Sequence, residues 1–472
     1  MASNSSNGSE APYSSFPYWE YPTHSLDFLH AYETHSTDAN KPVQSKVLLN
    51  VVVVGAGLGG LGTAVALARR GHSVTVLEQA PALAEVGAGI QLPSNTARLL
   101  LRWGCGPHLK GQVVEPENIT FRKWSNGDRI GFTRLIPNFR ENFGAPYYVV
   151  HRAHLHTALH ECAVELGVKV QVNCKVVSYD PNSPLVVLDD GRTISGDLVV
   201  AADGIKSVAR ATVLGGADRP PALTGFAAYR ATVDAAKIGA DPEIAWLLEK
   251  PALNIWIGED RHVMTYTIAA GKSLNMVLSH VDRTDPQTWK PEDAVEQMRA
   301  YFADWDPKLF KIIKMIENTQ KWPLLSGVSL PHWCAPSKKL LILGDAAHAM
   351  VPYMSQGAGM AIEDGAALAE VIHQIGTAEE LSEALNIFTQ ERMRRSGQMQ
   401  SASLVNGKIW HFADGPEQQK RDSAMRAEVE GKPFQRSANQ WSDPVTQWWC
   451  YGYDAEKAVR EAWGRRGRAC KI

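Results

Sequence analysis

From Val47 to Ala68 the chain runs for 22 residues without a charged side chain. That is long enough for a membrane-spanning helix, which needs about 20 apolar residues. The interior of the run excludes one. Gly55, Gly57, Gly59, Gly60 and Gly62 sit in its middle, Arg69-Arg70-Gly71-His72 closes it, and a second apolar run, Val74-Thr75-Val76-Leu77, follows at once. Short apolar runs separated by glycines spell strand, tight turn, helix and strand. A βαβ unit is therefore expected, with strand Val51–Val54, helix Leu58–Arg70 and strand Ser73–Leu77.

Within that unit Gly55-Ala56-Gly57-Leu58-Gly59-Gly60 falls between strand and helix. A G-x-G-x-x-G pattern has mechanical meaning only there. The first glycine makes the turn, the second admits a pyrophosphate to the backbone, and the third lets helix pack on strand. The helix N-terminus offers free N–H groups to the same phosphates. Glu78, 18 positions after Gly60, ends the second strand, where an acid accepts hydrogen bonds from a ribose. The competing reading is a glycine-rich helix–strand contact with no ligand. These residues point to a dinucleotide and leave NAD and FAD both open.

At about 100–200 residues per domain, the 472 residues allow two to four domains or one large fold with insertions. A net charge of −2 argues against a nucleic-acid binder with a broad basic surface. The six cysteines are scattered without zinc-ligand spacing, which argues against a disulfide scaffold or structural metal and fits a reducing, cytoplasmic setting. The first 40 residues hold no Lys or Arg and no apolar run, so no secretory signal or transit peptide is expected there. Tyr18, Trp19, Tyr21, Phe28 and Leu29 are too aromatic for a solvated tail, and this N-terminal extension is expected to lie across the body of the protein.

Further along, Arg152–Leu166 has helical periodicity, and Val168–Val172, Lys175–Tyr179 and Leu185–Leu188 read as strands, with a hairpin turn at Asp189-Asp190-Gly191. From about Gly225 to Val281 the texture becomes β-like, in runs Phe226–Val233, Leu253–Ile257, Val263–Ile268 and Asn275–Leu278, as expected of a separate antiparallel layer. Amphipathic stretches Pro291–Ala303 and Pro307–Asn318 follow. A buried strand Leu340–Leu343 then leads into helices near Gly357–Ile375 and Ser382–Leu404, and the rest is polar and Trp-rich.

Asp203-Gly204 and Gly344-Asp345 each follow a strand, and singly each is an ordinary turn. In order behind the glycine fingerprint they resemble the single-component, FAD-dependent aromatic hydroxylases, specifically the salicylate-hydroxylase-like branch common in fungi. Matching segments are Val51–Glu78, Gly87–Gln91, His151–Leu155, Asp197–Arg210 and Leu340–Leu368, so the resemblance covers roughly residues 45 to 410. It implies an α/β architecture: a Rossmann-like FAD-binding domain (46–215 and 335–376), an inserted antiparallel β-sheet substrate domain (216–334), and C-terminal helices with the Trp-rich tail (377–472), behind the extension 1–45.

The resemblance further implies noncovalent FAD contacts by Gly55, Gly57, Gly60, Glu78, Gly89, Gln91 and Arg152, and at Asp203-Gly204, which also meets a transient nicotinamide nucleotide. Asp345 is implied at the ribityl and pyrophosphate region, and Gly357-Ala358 at the pyrimidine end of the flavin. His154 stands where the family usually has an acid, and Gln79 replaces a frequent basic residue, leaving NADH and NADPH open. No second G-x-G-x-x-G appears, which suits a reductant that only visits. The implied chemistry is reduction of FAD by NAD(P)H, formation of a flavin hydroperoxide with oxygen, and hydroxylation of an electron-rich ring in a water-poor cavity.

One wall of that cavity is assigned to the β-layer. Arg230 there is a candidate partner for a carboxylate or phenolate, or for the oxygenated flavin, against the alternative of a strand-end arginine paired with a surface acid. His262 and Tyr266, four apart in one strand, are expected on one face and are the other catalytic candidates, against purely structural roles. Trp256 is a core residue by default, His348 structural, and Pro352 shapes the loop beneath the flavin. The leading expectation is hydroxylation of a phenolic acid, salicylate-like and decarboxylative. The alternative is a fungal secondary-metabolite monooxygenase acting on an indole or polyketide. An NAD-dependent dehydrogenase, or a non-catalytic binder like GDP-dissociation inhibitors, explains fewer of the motifs. The protein is expected to be a monomer or homodimer without a transmembrane segment.

Overall fold

Valines and leucines of Asn50–Val54 and its neighbours fill a five-stranded parallel sheet, in the order Leu340–Ile342, Leu198–Ala201, Asn50–Val54, Ser73–Leu77, Lys169–Gln171. The structure, a computed structural model, describes residues 42–83 and 88–466. Strands buried on both faces need helices on both, which explains their unbroken apolar character. The fingerprint helix, Leu58–Ala68, ends two residues before the expected Arg70. It packs on the helix Gly357–His373, where a Cβ on Gly365 would stand 2.7 Å from the Thr63 Cα. Small residues are required at that crossing.

A seven-stranded sheet forms the second layer, in the order Gln320–Ser326, Ala222–Asp234, Ser273–Val281, Arg261–Ile268, Ala252–Gly258, Asn118–Lys123, Arg129–Arg134. Two features correct the expectation drawn from sequence. The hairpin 118–134, assigned there to the nucleotide-binding part, completes this sheet, and it joins Ala252–Gly258 in parallel rather than antiparallel register. Its alternate residues Ile119 and Phe121 are buried, and pairing with Leu253 and Ile255 buries them. The sheet has two apolar faces. One carries Ile255, Met264 and Tyr266, and the other carries Tyr229, Trp256 and Leu278 under the helices Ala294–Tyr301 and Pro307–Ile313. Trp256 is core, its indole N–H donating to Asp306 at 2.8 Å.

The Trp-rich stretch is not a tail. The helix expected over Ser382–Leu404 runs from Leu381 to Trp410, and Pro416–Val429, Pro444–Tyr451 and Ala455–Arg465 are helices too. Trp410 and Trp441 meet Phe121 edge-on at 5.6 and 6.0 Å, so this segment packs over the β-layer. Buried arginines tie it down through backbone carbonyls: Arg98 to Phe143, Tyr451 and Tyr453, Arg395 to Trp449 and Cys450, and Arg421 to Ile409 and Trp410. Such clamps are local in space and long in sequence. Among the described residues no helix is long and apolar enough to cross a membrane. Tyr18, Trp19, Tyr21, Phe28, Leu29 and Gly87 lie outside the described residues.

Candidate active site

The glycine fingerprint is built as its spacing requires. Gly55 has φ +101° and lies against the Ala202 carbonyl, and a Cβ on Gly60 would overlap the Gly55 carbonyl oxygen. Gly57, by contrast, has nothing within 4 Å of where its Cβ would be. Two glycines close the turn, and the third leaves its face open to a groove. That open face beside a helix N-terminus fits a pyrophosphate. Gly60→Ala should therefore yield protein that purifies without FAD, its affinity lowered at least about a hundredfold if the clash costs about 3 kcal/mol. Flavin absorbance after gel filtration, with the melting curve as control for folding, measures this.

Glu78 accepts from the Ala56 N–H at 2.8 Å and the Ala80 N–H at 2.9 Å, so it ties the fingerprint turn to the end of the second strand. Asp203 keeps its Oδ1 without a hydrogen-bond partner among the described residues. Its Oδ2 accepts from the Tyr179 hydroxyl at 3.0 Å and from the N–H groups of Val208 and Ala209 at 2.9 and 3.1 Å, which caps the helix Ala209–Val213. Gly204 presents the backbone to the groove. Arg152 opens the helix Arg152–Glu165, and Asp345 opens Asp345–His348, both facing the groove. Gly357 and Ala358 begin the 17-residue helix Gly357–His373, whose first N–H groups have no intrahelical partner.

This groove and the space beneath the β-layer form one cavity of about 320 Å³. Of the fifteen residues expected to bind cofactor or act on substrate, eleven line it, Gly55, Gly60, Glu78 and Asp203 excepted: Gly57, Gly89, Gln91, Arg152, Gly204, Arg230, His262, Tyr266, Asp345, Gly357 and Ala358. Strand alternation puts His262, Met264 and Tyr266 on the cavity face, across from Val277. A Cβ on Gly89 would overlap the Tyr266 ring, and the Gly89 N–H donates to Asn275 at 2.7 Å, so this glycine lets the two layers meet. Gln91 accepts from the Tyr147 hydroxyl and points its amide at Met264.

Arg230 reaches solvent through this cavity with protein packed closely around it, and it has no ion-pair partner among the described residues. Burial lowers its pKa, Tyr266 opposes that, and Arg152 adds to it. Burial raises the Tyr266 hydroxyl, against the pull of Arg230 and Gln91, so the phenol is neutral at pH 7. His262 is held well below the usual histidine range, first by burial and then by His411. Its Nδ1 lies 2.8 Å from Nε2 of His411. His411, Trp410 and Met350 escaped sequence reasoning. They come from a helix end and a loop with no motif, and only the tertiary fold brings Met350 and Trp410 to the cavity wall and His411 against His262.

An open phosphate cradle continuous with a cavity walled by the β-layer suits a flavin lying beside a substrate ring. The FAD binding domain family matches residues 49–403, and the chain belongs to that family as an FAD-dependent monooxygenase. It is 36% identical over 413 residues to the FAD-dependent monooxygenase OpS4 of Beauveria bassiana, covering 86% of this chain and 95% of that protein. It is 32% identical over 410 residues to 3-hydroxybenzoate 6-hydroxylase of Polaromonas naphthalenivorans, covering 86% and 96%. In fold it is similar to a salicylate hydroxylase substrate complex, with TM-score 0.71 at 24% identity over 89% of this chain and 98% of the other.

Proposed function

We propose that this enzyme hydroxylates the ring of a phenolic carboxylic acid, with NADH or NADPH as the visiting reductant and salicylate-type decarboxylative hydroxylation as the leading case. The observation that carries this reading is Arg230, a planar cation without an ion pair among the described residues, set beside Tyr266 in a cavity whose apolar wall includes Met264, Val277, Met350 and Trp410. A guanidinium matches a carboxylate or phenolate through two parallel hydrogen bonds, and the apolar wall accepts the ring. FAD, held by the groove, supplies oxygen-atom transfer from dioxygen at the expense of two electrons from the nicotinamide.

The chain's own residues then do three things. Arg230 binds and orients the anionic group, Tyr266 offers its neutral hydroxyl to the phenolic oxygen, and the buried wall excludes water that would otherwise divert the reaction to hydrogen peroxide. Similarity to a 3-hydroxybenzoate hydroxylase supports a hydroxybenzoate-sized substrate. The apolar wall also suits a fused ring, such as an indole or polyketide, as the second reading of the same site.

The test is turnover under labelled oxygen gas with a panel of phenolic acids, indoles and polyketide phenols. One labelled atom is expected in the ring of the product. Unlabelled product excludes the monooxygenase reaction. Labelled product that keeps its carboxylate removes only the decarboxylative case, and turnover confined to indoles or polyketides removes the phenolic-acid reading.

A further inference from the structure

Tyr147 is buried, and its ring is walled edge-on by Phe139 at 5.7 Å and Tyr451 at 6.2 Å. A phenol held in this way can turn only its proton, and a buried O–H needs an acceptor. The acceptor it finds among the described residues is Oε1 of Gln91. A glutamine amide carries its oxygen and its NH2 on opposite sides. With the oxygen turned to Tyr147, the NH2 faces Met264, its Nε2 2.9 Å from Sδ, and reaches Tyr266, whose hydroxyl it lowers in pKa as a donor does. The reverse orientation would set N–H against O–H and leave the Tyr147 proton without an acceptor.

Gln91, Met264 and Tyr266 all line the cavity, and a thioether is a weak acceptor. The Gln91 N–H is therefore open to a better partner. Arg230, on the same β-layer wall as Met264 and Tyr266, is donor-only as well. Asp345, the single acid in the described lining, opens its helix on the groove. Beneath the β-layer the cavity is thus furnished for acceptors. A substrate oxygen that Arg230 does not hold finds a hydrogen at Gln91, and an amino group in its place does not.

We propose that Gln91 is a specificity-determining residue, donating an amide N–H to a second acceptor oxygen of the substrate, and that Tyr147 is the positioning residue that keeps the amide turned to donate. The inference rests on the phenolic-acid reading above for the identity of the substrate. It moves Gln91 from the cofactor contact implied by resemblance to the substrate side. Tyr147 does not line the cavity, so its effect on selectivity passes through Gln91.

The test is a pair of measurements on the FAD-loaded protein. The first needs no substrate: a nuclear Overhauser contact between the Gln91 side-chain N–H and the Met264 methyl group, with the amide signal assigned by its loss in Gln91→Leu. It is expected in the wild type and should weaken in Tyr147→Phe. The second compares dissociation constants of 2- and 3-hydroxybenzoate with those of the matching aminobenzoates, read from the flavin absorbance, with benzoate as control. The carboxylate is common to all, so each ratio reads the second group alone. At one position at least, the wild type should bind the hydroxy compound about tenfold more tightly, a difference of about 1.4 kcal/mol. Tyr147→Phe frees the amide to offer its oxygen to an amine, so that ratio should approach one while benzoate binds as before; damage to the fold would weaken benzoate equally. A wild type without the Met264 contact overturns the proposal even if no variant folds, and an unchanged ratio in Tyr147→Phe does the same. Gln91→Leu protein that purifies without FAD returns Gln91 to the cofactor and also overturns it. A wild type that shows the contact and binds none of the benzoates refutes the phenolic-acid reading, while the orientation of Gln91 set by Tyr147 stands.

Discussion

Arg392→Met should destabilise the fold by about 3–5 kcal/mol, the cost of removing one partner from a buried ion pair. Arg392 is fully buried, and its guanidinium donates to Asp364 at 2.8 Å, to Glu363 at 2.8 Å and to the Met360 carbonyl at 3.2 Å. Asp364 also accepts from Gly344 N–H at 3.0 Å and faces His348 Nε2 at 2.6 Å, so one carboxylate links the Gly344-Asp345 turn to the helix that opens at Gly357. Losing the guanidinium leaves two buried acids with one fewer counter-charge and loosens both cofactor-facing turns together. Burial alone would raise the Asp364 pKa, but His348 and Arg392 outweigh it and hold it low. A depressed carboxylate adds stability that is complete above its unfolded value near 3.9 and is lost as pH falls through the lower native value. Urea unfolding at pH 7 should show the full loss, and repeating it in steps toward pH 4 should show the wild type holding its advantage throughout. A difference under about 1 kcal/mol would rank the network with ordinary surface pairs.

Whatever depended on short-range pattern was legible in the sequence. Gly55, Gly57 and Gly60 act at fixed offsets along one turn, and strand period two placed His262 and Tyr266 on one face. Contacts made across the fold were not. Nothing local marks the hairpin 118–134 as the end of a sheet, because its register partners lie at Ala252–Gly258. The stretch after Leu404 reads as polar because its tryptophans pack on Phe121, far away in sequence, and its buried Arg421 is satisfied by Asp422 and by the carbonyls of Ile409 and Trp410. Asp203 shows the reverse limit. Its position after a strand suggested a ligand contact, and nothing local showed that the adjoining helix start and Tyr179 take up its Oδ2 while Oδ1 has no partner among the described residues.

Arg230→Met should lower product formation by roughly 10²–10⁴-fold while leaving anaerobic flavin reduction by NAD(P)H much less affected, since two charge-assisted hydrogen bonds are lost at about 1.5–3 kcal/mol each. The neutral replacement fills similar volume, so the fold should survive; the paired strands Ala222–Asp234 and Ser273–Val281 hold residue 230 by backbone bonds alone. Arg230→Lys separates charge from shape. It keeps the cation but loses the planar fork, and Lys is the more strongly hydrated of the two, so it should fall between wild type and Met. Because Tyr266 faces the same cavity, Tyr266→Phe should raise the share of NAD(P)H that ends as hydrogen peroxide without abolishing ring hydroxylation. Product yield per NAD(P)H, with peroxide measured alongside, distinguishes these outcomes. If Arg230→Met forms product at wild-type rates from a phenolic acid, the guanidinium does not hold the substrate anion.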